Sequence, residues 1–504
     1  MAVITSEPGT PGRSIYRDIL HGSAFYSLPL LVQRITGFAL LPLYTRLLAP
    51  SDYGTMEMLD QAVGLLTLLL GSSFASALSY FYFQSEAPDW KRRIVSTTIL
   101  GSLLLGIGCA ILGIAGSGLL SGLMFGTPDN AGYFRILFAG VAFSFPLEAV
   151  LCWLRTINAA PLYAFASILR LAATMGLIVA LMLGAGWRIA AVLTGTAVVT
   201  TIFGIVLILL CRRRLGPFQF DPALFRKVFR YSAPMAVTGL ALFVLHFGDR
   251  FILNSYITID QLGIYSMAYK VGMLIAFLSS TFNSYWTSQI FGIMKRPDGD
   301  EVFARVFTYL NVVMLFAVVC VSVFARPTLR MLATPPFLAA AALAPLIAGA
   351  YYVRAMGDFF RNILYVQGRP GLDAVFNWIG ATFCLGSYFV LIPRWGAWGA
   401  ATATFLSFLF LLVLIAAWTF RIRPYRLEIA RLSKGLLAAA IPLSISYLVR
   451  PEWLASQIGL GLVLALLFPA LLVVLRFPTP GEWRRVRELP LRLGWTRMAA
   501  LRRS

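Results

Sequence analysis

The segment from Phe229 to Met294 decides how the chain reads. Within it stand His246-Phe247-Gly248-Asp249-Arg250-Phe251-Ile252-Leu253 and Ile259-Asp260-Gln261-Leu262-Gly263-Ile264-Tyr265-Ser266-Met267-Ala268-Tyr269-Lys270. Two long apolar runs joined by a short polar turn read as a helical hairpin, and both runs carry charge. A charge inside a membrane span costs roughly 2.5–3.5 kcal/mol on insertion scales, so such a residue faces a cavity or a partner. The hairpin therefore reads as one wall of a pathway.

The same pattern extends over the rest of the chain. The 504 residues are 59% hydrophobic and 12% charged, with a mean hydropathy of +0.79. A soluble core does not absorb that much apolar surface, and runs of about 20 apolar residues match the length a helix needs to cross a bilayer. Fourteen such runs are expected: six within 22–211, six within 231–419, then 435–449 and 455–475. They are apolar all round, which excludes an outer-membrane barrel, whose strands alternate. The expected fold is an all-α polytopic membrane protein.

The formal charge of +21 does not point to nucleic acid, because the basic residues sit in short loops between apolar runs. With the N-terminus inside, twenty-nine basic residues fall in inner segments against seven in outer ones. This bias predicts cytoplasmic N- and C-termini and an even number of spans. The five cysteines, Cys109, Cys152, Cys211, Cys320 and Cys384, lie in or at the end of apolar runs without CxxC spacing and read as packing residues. No metal or other cofactor is implied, and the first twenty residues lack the apolar core of a cleavable signal peptide.

The basic connection after the sixth run divides the chain. The expected organisation is an N-terminal lobe over 1–214, a cytoplasmic linker at 215–230 and a second six-helix lobe over 231–420. Two additional helices follow at 421–476, then a basic tail at 477–504. The lobes read as parallel repeats around a central cavity. Ser27-Leu28-Pro29 opens span one as Ser232-Ala233-Pro234 opens span seven, and Asp52-Tyr53-Gly54 enters span two as Gln261-Leu262-Gly263 enters span eight. Pro42 and Pro146 permit kinks. The Arg-rich tail, with Arg484, Arg485 and Arg487, suits the anionic inner leaflet.

Six basic side chains fall within spans: Arg34, Arg170, Arg250, Lys270, Arg354 and Arg361. The acids in or near spans are Glu57, Asp60, Glu148, Asp249 and Asp358. Arg354, Asp358, Arg361 and Tyr365 share one helix face. They read either as internal neutralisation that secures packing or as a basic stripe whose planar guanidinium groups bind phosphate oxygens. Lys270 reads either as the partner of Asp249 or as a cavity cation, and His246, one turn before Asp249, adds a titratable group. Across both lobes the cations point to an anionic cargo. Arg34, Arg250, Lys270, Arg354 and Arg361 are the candidate binding residues.

The runs Leu43-Tyr44-Thr45-Arg46-Leu47-Leu48-Ala49-Pro50-Ser51-Asp52-Tyr53-Gly54 and Ser76 to Phe83 resemble the polysaccharide-transporter, or Wzx-like, family. So do Asp249-Arg250-Phe251-Ile252-Leu253, Gly263 to Lys270, and Leu391-Ile392-Pro393-Arg394-Trp395-Gly396-Ala397-Trp398-Gly399. The family belongs to the multidrug/oligosaccharidyl-lipid/polysaccharide exporter superfamily. The resemblance implies a two-lobe bundle that flips undecaprenyl-pyrophosphate-linked oligosaccharide from the inner to the outer face of a bacterial plasma membrane. The partners it implies are that lipid-linked oligosaccharide and membrane lipids, with Arg250 and Lys270 at the family's Asp-Arg and Tyr-Lys positions. No GxxxxGK followed by Ser or Thr is present, so ATP hydrolysis is not expected. Proton or sodium coupling stays open, with Glu148, Asp249 and Asp358 as the candidate carboxylates. The alternatives are a drug or cation antiporter of the same superfamily, which would use deep carboxylates, and a membrane glycan polymerase or ligase, which would carry a sizeable outer domain.

Overall fold

A computed structural model describes residues 40–449 and 451–479, together with Val32, Gly37 and Glu482. Every regular element among them is helical. Hydrocarbon offers no water to bond, so a crossing backbone pairs its own N–H and C=O groups, as a helix does. Twelve stretches among the described residues are long and apolar enough to span a membrane. The chain is a multi-pass membrane protein.

In order the helices are α1 (Leu41–Leu47), α2 (Pro50–Tyr82), α3 (Pro88–Ala115), α4 (Ser117–Phe125), α5 (Ala131–Thr156), α6 (Ala160–Gly184) and α7 (Ile189–Leu215). Then come α8 (Pro222–Leu253), α9 (Ile259–Gly272), α10 (Leu274–Ile293), α11 (Gly299–Leu332) and α12 (Ala340–Val366). The last three are α13 (Pro370–Ile422), α14 (Ile429–Leu448) and α15 (Leu454–Val474). α9 and α10 together form one crossing stretch, Ile259–Ile293. α13 is two crossings, broken at Gly396, whose φ of +53° belongs to the left-handed region that only glycine enters freely. Most of the first expected span, with Arg34, lies outside the described residues; Pro42 occupies the opening turn of α1. Within α2, residues Thr67–Ser72 wind as a π-helix.

Internal contacts gather the chain into two compact units. The first comprises Met1–Ser266 with Ala381–Ala400. At its centre stands α5, with 67% of its most apolar window buried against 17% for α6. Leu147 and Trp153 of α5 share one cluster with Phe74, Leu207 and Val228. Lipid is as apolar as leucine, so such helices associate through close packing, and small residues let backbones approach. Gly54 and Gly263 show this reciprocally. A Cβ on Gly54 would lie 2.3 Å from the Ile259 carbonyl oxygen, and one on Gly263 would lie 2.1 Å from that of Pro50. The two tripeptides that suggest a repeat thus meet each other.

The basic linker is strapped to α3. Arg92 donates from Nε and Nη2 to the Pro217 carbonyl at 3.1 and 2.6 Å, and the Ser96 hydroxyl donates to Gln219 at 2.8 Å. Arg93 pairs with Asp221, which caps α8 by accepting from Ala223 and Leu224 N–H groups. The Leu224 N–H and the Arg93 guanidinium hold the Asp221 carboxyl below the usual carboxylate range.

The second unit comprises Met267–Gly380 with Ala401–Ser504. α11 packs against α12, α14 and α15 through Leu315, Val319, Ala438, Leu464 and Phe468. A ring cluster seals one end, with Phe303 4.6 Å from Phe359 and 4.5 Å from Tyr425, and Trp286 stacked 5.0 Å from Phe359. α14 starts at Ile429, six residues before the expected span, and takes in Arg431 and Lys434. Arg431 bridges Glu428 at 2.9 Å and Glu482 at 3.0 Å, with its guanidinium 4.5 Å from the Phe477 ring. Partners of this kind make charge tolerable in the first turns.

The glycine contact predicts a matched pair of outcomes. Gly263→Ala, whose methyl must displace the Pro50 carbonyl, lowers stability by about 1–3 kcal/mol. Gly64→Ala, with nothing within 4 Å of its Cβ, changes it by no more than about 1 kcal/mol. Thermal unfolding of the purified protein in detergent measures both.

Candidate functional site

The densest polar constellation within an apolar helix lies on α12, in the second unit. Helical spacing puts Arg354, Asp358 and Arg361 on one face. Arg354 Nε stands 3.1 Å from Asp358 Oδ1, and Arg361 Nη2 stands 2.9 Å from the same oxygen. Arg361 Nε reaches Asp373 Oδ1 at 3.0 Å, and the Tyr365 hydroxyl donates to Asp373 Oδ2 at 2.9 Å. Asp373 also accepts from Asn377 at 3.1 Å. Arg361 holds its carboxylates by charge and distance rather than by aligned N–H bonds, since Nε and Nη2 both meet their oxygens off the hydrogen-bond line. The stripe expected to be net basic is balanced, two guanidinium groups against two carboxylates.

Asp373 is the residue the sequence reading missed. It sits in the opening turn of α13, and the turn that returns it to α12 is short. Gly368 adopts φ +67°, and Pro370 starts the next helix. A Gly-Arg-Pro turn followed by an acid is the signal that would have found it.

Arg354 is buried, 6% exposed, and its Nη1 has no hydrogen-bond partner among the described residues. Its guanidinium lies 5.6 Å from the Phe408 ring. A buried donor left unmade is costly, commonly about 1–3 kcal/mol, so it marks a place where an acceptor would gain.

In the first unit Asp249 is fully buried and heavily engaged. It accepts from Arg250 Nη1 at 3.0 Å, from the Arg250 backbone N–H at 2.9 Å, and from the Tyr265 hydroxyl. Arg250 Nη1 also reaches the His246 carbonyl at 3.5 Å and lies over the Phe247 ring at 5.4 Å. Asp249 and Arg250 therefore form a sealed ion pair, neighbours in sequence and in space.

The remaining candidates stand on other helices. Lys270 is half-buried on α9, Glu148 is half-buried on α5, and Arg170 is half-buried on α6. Arg34 lies outside the described residues. No group of three His, Cys, Asp or Glu side chains that could hold a metal occurs among the described residues.

Ion pairs buried inside apolar helices of a multi-pass membrane protein mark the positions where function concentrates. The chain belongs to the family described as polysaccharide biosynthesis protein, whose model matches residues 19–291. No curated protein matches it. Among solved structures it resembles the lipid II flippase MurJ in an inward closed conformation, at 15% identity and a TM-score of 0.69, over 88% of this chain and 98% of that one. An inward-facing multidrug resistance MATE transporter of the MOP superfamily matches at 13% identity and 0.66, over 80% and 98%. A MOP superfamily transporter from Pyrococcus furiosus, described as having a binding pocket of reverse polarity, matches at 14% identity and a TM-score of 0.59, over 83% of this chain and 99% of that one. These likenesses establish the fold.

Removing one charge from the balanced network leaves another uncompensated. Asp373→Asn destabilises the protein by about 2–3 kcal/mol. Adding Arg361→Gln to Asp373→Asn recovers most of that loss, as a double-mutant cycle of thermal unfolding reads directly.

Proposed function

We propose that the protein is a flippase that carries undecaprenyl-pyrophosphate-linked oligosaccharide from the cytoplasmic to the outer face of a bacterial inner membrane by alternating access. The glycan enters polysaccharide synthesis as O-antigen, capsule or exopolysaccharide, and no covalent bond of the cargo changes. The observation that carries the reading is a polysaccharide-biosynthesis family member with the fold of a lipid II flippase. In this reading the six-helix lobes over 1–214 and 231–420 alternate about a cavity, and both termini are cytoplasmic.

Arg34, Arg250, Lys270, Arg354 and Arg361 supply the positive field for the pyrophosphate. Arg354 supports the assignment most directly, because its Nη1 offers an unmade donor to a phosphate oxygen. Arg250, already sealed against Asp249, serves by field rather than contact. Coupling to a proton or sodium gradient falls to Glu148, Asp249 or Asp358. The MATE likeness supports a second reading, an ion-coupled antiporter of cationic drugs, for which the carboxylates rather than the arginines bind cargo.

The test is the distribution of undecaprenyl-linked oligosaccharide between membrane faces in cells that express wild type, Lys270→Ala or Arg354→Ala as the sole copy, with expression and insertion matched. Each variant is expected to raise the inner-face pool at least several-fold. Export at the wild-type rate by both would make these charges structural and remove them from the binding role. Normal export in cells lacking the protein altogether would sink the flippase reading.

A further inference from the structure

A helix facing lipid presents carbon to it. The exposed side of α3 does so with Leu104, Ile107, Ile111 and Leu112, and that of α15 with Leu462, Val463 and Leu466. α10 differs. From residue 280 to 289 its exposed positions are Ser280, Thr281, Ser284, Tyr285, Ser288 and Gln289, and Phe291 closes the face at its far end. The spacing of three and four holds them on one side of the helix. No Asp, Glu, Lys or Arg occurs anywhere between Leu274 and Ile293. The face is polar and uncharged.

The hydroxyl protons are committed and the oxygens are not. Ser280 donates to the Phe277 carbonyl at 2.8 Å, Ser284 to Ser280 at 2.8 Å and Ser288 to Tyr285 at 2.7 Å. Each oxygen keeps lone pairs directed outward. The Gln289 amide has only a long 3.5 Å contact with Ser288, and the Tyr285 hydroxyl has no hydrogen-bond partner among the described residues. The Gln289 amide and the Tyr285 hydroxyl, left in that state, favour water or a ligand over hydrocarbon.

The face is also braced from behind. Asn362 donates to Asn283 at 2.8 Å, and Thr287 donates to Asn362 at 2.6 Å. These two bonds tie α10 to α12, the helix that bears Arg354, and Asn362 is itself fixed by donating to the Asp358 carbonyl one turn back at 2.9 Å. A rigid, uncharged array of acceptors with a ring 66% exposed at Tyr285 matches neutral sugar. Sugar hydroxyls donate to such oxygens, and the apolar face of a pyranose covers an aromatic ring.

We propose that the exposed face of α10 is the track along which the neutral sugar rings of the cargo bind, separate in chemistry from the pyrophosphate contacts. The inference rests on the flippase reading. Ser284 and Ser288 discriminate the glycan, Tyr285 stacks against it, and Arg354 is indifferent to it.

Two probes separate the parts. One is the lipid-linked oligosaccharide that accumulates in cells depleted of the protein, and the other is undecaprenyl pyrophosphate without sugar. Binding of each to the purified full-length protein is compared for wild type, the double variant Ser284→Leu/Ser288→Leu, and Arg354→Ala. Wild type is expected to favour the sugar-bearing lipid at least tenfold. The double leucine variant is expected to lose at least fivefold of that preference while holding undecaprenyl pyrophosphate within twofold. Arg354→Ala is expected to weaken both lipids alike. A double leucine variant that keeps the full preference, or that weakens both lipids equally, overturns the sugar track and leaves the phosphate assignment standing. Failure of wild type to bind either lipid removes the flippase reading and the track together. As a second readout, Ser284→Cys is expected to react with a membrane-impermeant maleimide well above the background of the five native cysteines. Labelling no higher than that background would place the face in lipid and overturn the proposal.

Discussion

A backbone crossing hydrocarbon must satisfy its own hydrogen bonds, and that requirement sets the terms for everything else here. It makes every described span helical. It also changes what a polar side chain signifies, because the apolar surroundings that cost nothing for leucine penalise each unmatched donor. The informative residues are therefore the exceptions: the sealed Asp249–Arg250 pair, the four-charge network on α12 and α13, and the hydroxyl face of α10.

The two charge clusters meet the penalty differently. Asp249 is saturated by donors from Arg250 and Tyr265, which leaves little capacity for a ligand. The α12 network is balanced in charge but imperfect in hydrogen bonding, with Arg354 Nη1 unmatched. A buried ion pair is weak evidence of stability in its own right, because desolvation consumes most of the Coulombic gain. What such a network does provide is a position for each guanidinium, held by the charges of Asp358 and Asp373.

The helical class and the many crossings were legible in the sequence because length and apolarity suffice to define a crossing. Twelve stretches qualify among the described residues where fourteen were expected, most of the first lying outside them. The motif residues around Gly54 and Gly263 were legible too, although their mutual contact was not, since no local pattern encodes which glycines meet. Asp373 escaped notice because it sits at a helix boundary, where an acid in the opening turn reads as capping. The start of α14 was placed late because Arg431 and Lys434 depress local hydropathy, while their partners Glu428 and Glu482 are distant or ambiguous in sequence. The polar face of α10 was hidden by averaging: serine and threonine are nearly neutral on hydropathy scales, and their apolar neighbours keep Ile259–Ile293 apolar enough to read as a crossing.

The π-wound segment of α2, Thr67–Ser72, has a bearing on how this helix tolerates change. A π turn holds about one residue more than an α turn, so the two halves of α2 are offset by one position in their angular count. Downstream lie Ser76 and Tyr80, both exposed, with Tyr80 stacked 4.4 Å from Tyr231. Deleting one residue between Thr67 and Ser72 would regularise the helix and leave that face where it stands, because the π turn already absorbs the extra residue. Length variation of one residue is thus absorbed within Thr67–Ser72, where the same deletion in a regular α turn would rotate everything downstream by about 100°.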